Sequence, residues 1–126
     1  MLTWAGLSIV AGTVLAVLLA VRRARSPLLA HFAAQLAGWG VVIGAIAEIE
    51  WRGLSLLDLT AATRLDRMTW LNIGFDAGYV AIGATLALTA WVLAKRLSAV
   101  GAGVGIMVQG MALLVLHLQL AAAISR

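Results

Sequence analysis

The stretch TWLNIGFDAGYVAIGATLALTAWVLA, residues 69–94, decides the fold of this chain. It holds one acidic side chain, Asp76, and no basic one in 26 residues. As a helix it would reach about 39 Å at ~1.5 Å per residue, more than the ~30 Å hydrocarbon core of a bilayer. Helix is the expected form, because hydrocarbon offers no partner to a free backbone N–H or C=O.

Three more apolar runs lie around it, at residues 2–21, 28–49 and 98–124. Together the four predict an all-α, polytopic membrane four-helix bundle, up-down-up-down, in a single transmembrane domain covering residues 1–126. Composition agrees: of 126 residues 63% are hydrophobic and 11% charged. A soluble globule of this size exposes much of its area and needs more polarity than that. Cysteine is absent, which excludes disulfides, thiol catalysis and Cys-ligated metals. The net charge of +4 would suit nucleic acid in a soluble protein. Here the basic residues sit between apolar runs and point to the lipid bilayer as partner, with no nucleic acid expected.

The first run reads as a retained span, not a signal peptide, since Arg22, Arg23 and Arg25 follow it where a leader's charges would precede it. Ser26-Pro27 marks the start of the second helix, with serine as N-cap and proline at the first helical position. Lys95-Arg96-Leu97 leaves room only for a tight hairpin between the last two spans. Basic residues concentrate in the short turns 22–25 and 95–96, which are expected to be cytoplasmic in a bacterial inner membrane, with both termini outside. Trp4, Trp51 and Trp70 fall at the expected outer boundary and Trp91 at the inner one. Trp39 lies mid-span and is expected between helices.

Residues 51–68 interleave Leu54, Leu56, Leu57, Leu59, Leu65 and Met68 with Arg52, Asp58, Arg64, Asp66 and Arg67. This predicts a short amphipathic helix near residues 55–67 lying in the interface; the alternative is a partly exposed cap over the bundle. A faint echo is also present. Arg22-Arg23 precedes Gln35 by about a dozen residues, and Lys95-Arg96 precedes Gln109 by a similar number. It reads as coincidence more readily than as duplication.

Polar residues inside spans carry the functional signal, because leaving them unpaired in lipid is expensive. On the third span Asn72, Asp76, Tyr79, Gly83, Ala87, Ala90 and Ala94 fall within about 80° of one another. Such a face is expected to turn toward neighbouring helices. Asp76 lies roughly 9 Å inside Trp70, and His117 roughly 10 Å inside Ile124 from the same side. The two are therefore expected to meet, oriented by Asn72 and Tyr79, with Glu48 near enough to join. Gln109 is nearly central and is expected to bond Tyr79 or Gln35. The preferred reading of this cluster is interhelical glue, worth about 1 kcal/mol per pair. The competing one is a protonation site, because histidine changes charge near neutrality. His31 and His117 belong at opposite ends of the bilayer, which disfavours bis-histidine haem. No metal-ligand spacing is present, so no cofactor or metal is expected.

Small residues form a second constellation. Gly12 stands in the series Ser8, Gly12, Ala16, Ala20; Gly40 pairs with Gly44, Gly74 with Gly78 and Gly101 with Gly105, all at four-residue spacing. These let backbones approach closely and predict tight packing. Surplus small faces would serve a homo-oligomer or other membrane subunits. Gly101-Ala102-Gly103-Val104-Gly105 is no nucleotide loop, having no preceding strand and no following lysine.

The run Leu71-Asn72-Ile73-Gly74-Phe75-Asp76-Ala77-Gly78-Tyr79, followed later by Gln109-Gly110, resembles an uncharacterised bacterial family of small four-span membrane proteins bearing LN-x-G-x-D-x-G-Y and QG motifs. The resemblance implies that Asn72, Asp76, Gly78, Tyr79 and Gln109 form that family's polar core, and it brings no activity. Small multidrug transporters carry a glutamate early in the first span, whereas nothing acidic precedes Glu48 here.

Three functions are then open. The expected one is a structural or accessory subunit acting by helix packing in an oligomer or membrane complex. The alternatives are a small proton- or cation-coupled transporter or channel using Asp76 and His117, and a membrane enzyme or lipid-binding protein at the outer interface. No nucleophile–base–orienter set can be assembled, so an enzyme is least expected.

Overall fold

The computed structural model describes residues 1–23, 25–52 and 59–124. They form α1 (Leu2–Val21), α2 (Pro27–Arg52), α3 (Leu59–Thr89) and α4 (Leu97–Ile124), with a π-helical turn at Ala90–Ala94 continuing α3. No strand occurs among the described residues. Four segments, Leu2–Val21, Pro27–Ile49, Thr60–Ala94 and Leu97–Ile124, are each long and apolar enough to cross a membrane. Their outward faces carry exposed aliphatic and aromatic side chains, among them Leu7, Val10, Val14, Val17, Phe75, Ile82, Trp91 and Leu93.

One expectation about the elements is corrected. The amphipathic stretch is no separate interfacial helix from Leu59 onward; it is the first part of α3. No glycine or proline interrupts residues 59–73, so nothing stops the helix at the polar boundary. Thr69 is buried there, and its Oγ1 donates back to Leu65 O at 2.9 Å. Residues 53–58, including Leu54, Leu56, Leu57 and Asp58, lie outside the described residues.

Both short turns solve the same problem in the same way. Arg22 N–H bonds Leu18 O and Arg23 N–H bonds Ala20 O, closing α1, and Arg23 takes φ 50°. Arg96 N–H bonds Ala90 O beyond the π-turn, and Lys95 takes φ 51°. A left-handed residue reverses the chain and satisfies the last carbonyls of a helix. α2 then restarts with Ser26 Oγ accepting the Leu29 N–H at 3.4 Å.

α1 packs on α2, α2 on α4, and α4 on α3. α2 and α4 run parallel, since Gly101 meets Leu28, Gly105 meets Gln35, and Gln109 bonds Leu36 O. The two hairpins are built alike. A methyl placed on Gly12 would lie 2.6 Å from Ala37 N and 2.8 Å from Ala33 O; on Gly83 it would lie 2.6 Å from Met107 N and 2.7 Å from Gly103 O. A methyl on Gly40 would lie 2.9 Å from Ile9 N and 3.0 Å from Ala5 O; on Gly110, 2.9 Å from Val80 N and 3.0 Å from Asp76 O. Each α1 residue in these contacts is matched by the α3 residue 71 positions later, and each α2 residue by the α4 residue 70 later. The chain is thus two equivalent hairpins about an axis along the helices. Gln35 and Gly105 are each other's counterparts and touch, as residues beside a two-fold axis do.

The two hairpins are equivalent, yet the glutamine echo is a coincidence and does not mark their register. Gln35 corresponds to Gly105, while Gln109 corresponds to Trp39. At the turns the offset becomes 72, from Arg23 to Lys95. The extra residue falls where α3 winds as a π-turn, which takes in one more residue per turn than an α-turn does.

Candidate functional site

The α3–α4 seam changes character along its length. Toward the turn, Gly83 and Gly103 bring the two backbones together. Toward the other end the seam must hold side chains, and there Asp76 and His117 face each other. Both are buried, 2% and 5% exposed, with His117 Nδ1 2.6 Å from Asp76 Oδ2. A carboxylate oxygen accepts, so Nδ1–H donates, and the second ring nitrogen, Nε2, takes no part in the pair. Nε2 is buried and has no hydrogen-bond partner among the described residues. A buried polar atom left unmatched costs about 1–3 kcal/mol.

The pair lines a cleft of about 240 Å³ between α2 and α3, which also touches Asn72, Phe75, Tyr79, Trp39 and Leu113. The cleft exists because α2 packs on α4 and leaves α3 at a distance. Trp39 reaches across to meet Tyr79 edge to face, with ring centroids 5.5 Å apart. Phe75, Val42 and Ile46 flank it and are 59%, 45% and 49% exposed, so the cleft opens on the apolar surface.

The residues singled out from the sequence separate into three groups. Asn72, Asp76, Tyr79 and His117 come together around this cleft. Gln109 does not join them, nor does it bond Tyr79 or Gln35. Its Oε1 accepts from Trp4 Nε1 at 2.7 Å, and its Nε2 donates to Leu36 O at 3.3 Å. The rotation of α4 that turns His117 toward α3 aims Gln109 toward α1 and α2. Glu48 is exposed on α2 and does not line the cleft. His31 is exposed, its Nδ1–H donating to Pro27 O at 2.9 Å.

The glycines separate as well. Gly12, Gly40, Gly101 and Gly105 sit where a methyl would collide with a neighbouring helix, and Gly44 is in ordinary contact with Ala5. Gly74 and Gly78, expected at a helix contact, meet nothing within 4 Å. At 100° per residue they lie opposite the Asp76–Gly83–Ala87 face that packs on α4. Gly83, Gly103 and Gly110 also make close contacts. Gly83 lies on the third-span face expected to meet a neighbour, whereas Gly103 and Gly110, seven apart, fall outside the four-residue glycine pairs.

A second cleft, of about 630 Å³, lies between α1 and α4 and is lined by Trp4, Leu7, Val108, Met111, Ala112, Leu116 and their neighbours. Among the described residues no group of three or more His, Asp or Glu side chains could hold a metal ion.

Fold and site together define a small all-helical protein with a buried carboxylate–imidazole pair opening on an apolar cleft. The chain belongs to DUF6992, a family of unknown function, whose family model matches residues 1–118. No curated protein and no solved structure matches it.

Proposed function

We propose that this protein is a small membrane transporter or channel of the proton- or cation-coupled class, and that Asp76 and His117 are its exchange site. One observation carries the reading. His117 is held by Asp76 through Nδ1 while its Nε2 stays buried and unpartnered beside a cleft. A pair serving only as glue would have both ring nitrogens satisfied or would be sealed from any cavity. Here the carboxylate orients the imidazole, the cleft beside it is walled largely by apolar side chains, and His117 is the residue at which a proton or a hydrogen-bonding solute is exchanged. Asn72 and Tyr79 supply further polar groups on the cleft.

The test is reconstitution into proteoliposomes with an enclosed pH dye under an imposed proton or cation gradient. Wild type is expected to dissipate the gradient. Asp76→Asn and His117→Ala should each slow it at least tenfold while eluting from a sizing column as wild type does. A wild type no faster than empty vesicles would sink the proposal.

A second reading, an accessory or self-associating subunit, draws on a different observation. Gly74 and Gly78 present a bare face of α3 with nothing against it, and such a face suits close approach of another helix. In mild detergent the protein should then run as an oligomer that Gly78→Leu reduces to a monomer. A monomeric wild type would remove this reading and leave the first untouched.

A further inference from the structure

We propose that the buried seam between α1 and α2 holds the twin of the Asp76–His117 site: the same backbone cradle, with its acid and base positions occupied by alanines. The correspondence found in the glycine contacts places Ala5 where Asp76 stands and Ala47 where His117 stands. Ala5 O approaches the Gly40 position at 3.0 Å, as Asp76 O approaches the Gly110 position at 3.0 Å. Ala47 follows Gly40 by seven residues, as His117 follows Gly110, and so lies on the same face. All four are buried, at 2% and 7% in one hairpin and 2% and 5% in the other.

The neighbouring walls correspond in part. Trp4, Ala112 and Leu116 line the α1/α4 cleft where their counterparts Phe75, Val42 and Ile46 line the α2/α3 cleft, whereas Ala5, Ser8 and Ala47 lie behind the α1/α4 cleft and do not line it. Across one cleft Trp39 meets Tyr79 edge to face; across the other Gln109, the counterpart of Trp39, accepts from Trp4. Ser8 stands at the Tyr79 position, its hydroxyl buried and without a partner among the described residues. That orphaned oxygen sits in a hairpin where the Asp76 and His117 positions are alanine and the Asn72 position is Met1. The molecule therefore has two cradles and one set of chemistry, which makes its site single and its two faces unequal.

The test restores what the twin lacks. Ala5→Asp and Ala47→His, made singly and together with Asp76 and His117 left in place, are compared by thermal unfolding in detergent and by proton NMR of the imidazole N–H. Each single variant should lower the Tm. The double should lose clearly less than the two losses combined, and should add a second low-field Nδ1–H signal beside that of His117. Losses that simply add, without the second signal, would overturn the proposal.

Should the double variant fail to fold, the absence of native cysteine permits a separate measurement. Ala5→Cys with Ala47→Cys should be joined by the same short bifunctional thiol reagent that joins Asp76→Cys with His117→Cys. Linkage of the second pair but not the first would overturn the twin assignment. Both measurements read geometry alone, so their outcome is independent of whether the protein moves protons.

Discussion

At the scale of single residues, the buried polarity divides between two kinds of contact with different physics. Asp76 and His117 form a pair with one nitrogen to spare, whereas Gln109 has both ends of its amide engaged, one by Trp4 and one by Leu36. The first arrangement leaves something to do; the second ties α4 to both helices of the other hairpin. Trp4→Phe removes the indole donor and leaves the Gln109 oxygen unmatched, and Gln109→Leu strands the Trp4 N–H. Each should cost about 1 kcal/mol, the scale of a hydrogen bond between helices in lipid. Combined, they should cost less than the two separately, because the second change removes the group that the first orphaned. Thermal unfolding in detergent measures this, and strictly additive losses would show that the two side chains do not interact. The meeting of Asp76 with His117 was legible from the sequence, since depth along antiparallel helices follows from a fixed rise per residue. The partner of Gln109 was not legible. It depends on how far α4 is rotated about its own axis, and an apolar sequence leaves that rotation free.

At the scale of helices, glycine has opposite consequences depending on which face it occupies. A methyl on Gly83 would lie under 3.0 Å from Met107 N and Gly103 O, and backbone atoms cannot step aside as a flexible side chain can. Gly83→Ala should push α3 off α4 and cost about 1–3 kcal/mol, as overpacking does. Gly38→Ala meets open space and should be neutral or stabilising by up to about 1 kcal/mol, the difference in helix propensity. Thermal unfolding of the two variants side by side checks the prediction; equal effects would contradict the packing described here. The same scale explains why the interfacial helix is not a separate element. Amphipathic patterning shows that residues near 55–67 border water and lipid, but it does not show whether the helix ends there. A stretch with no glycine or proline from Leu59 to Ile73 continues straight into the span.

At the scale of the molecule, the organising fact is the equivalence of the two hairpins, and it was nearly invisible in the sequence. Gly12, Leu15 and Ala16 repeat as Gly83, Leu86 and Ala87, and Gly40 repeats as Gly110, with little else in register. Lipid-facing positions accept any apolar side chain, so two halves can drift apart in sequence while the backbone contacts persist. The basic pairs and glutamines that suggested an echo were the wrong landmarks. The turns differ in length, which shifts the register across them.

The sequence by itself determined that the chain forms four long apolar helices joined in two tight hairpins. Those features depend only on local quantities: hydropathy, length, capping residues and the need of every backbone group for a partner. Tertiary structure alone decided which faces meet. It placed Gly74 and Gly78 outside, separated Gln109 from Asp76 and His117, opened a cleft between α2 and α3, and matched one hairpin to the other. Among helices apolar on nearly every side, hydrophobicity cannot choose a contact face. Close backbone approach at a few glycines and the pairing of a few polar side chains make that choice, and both become visible only when the helices are set against each other.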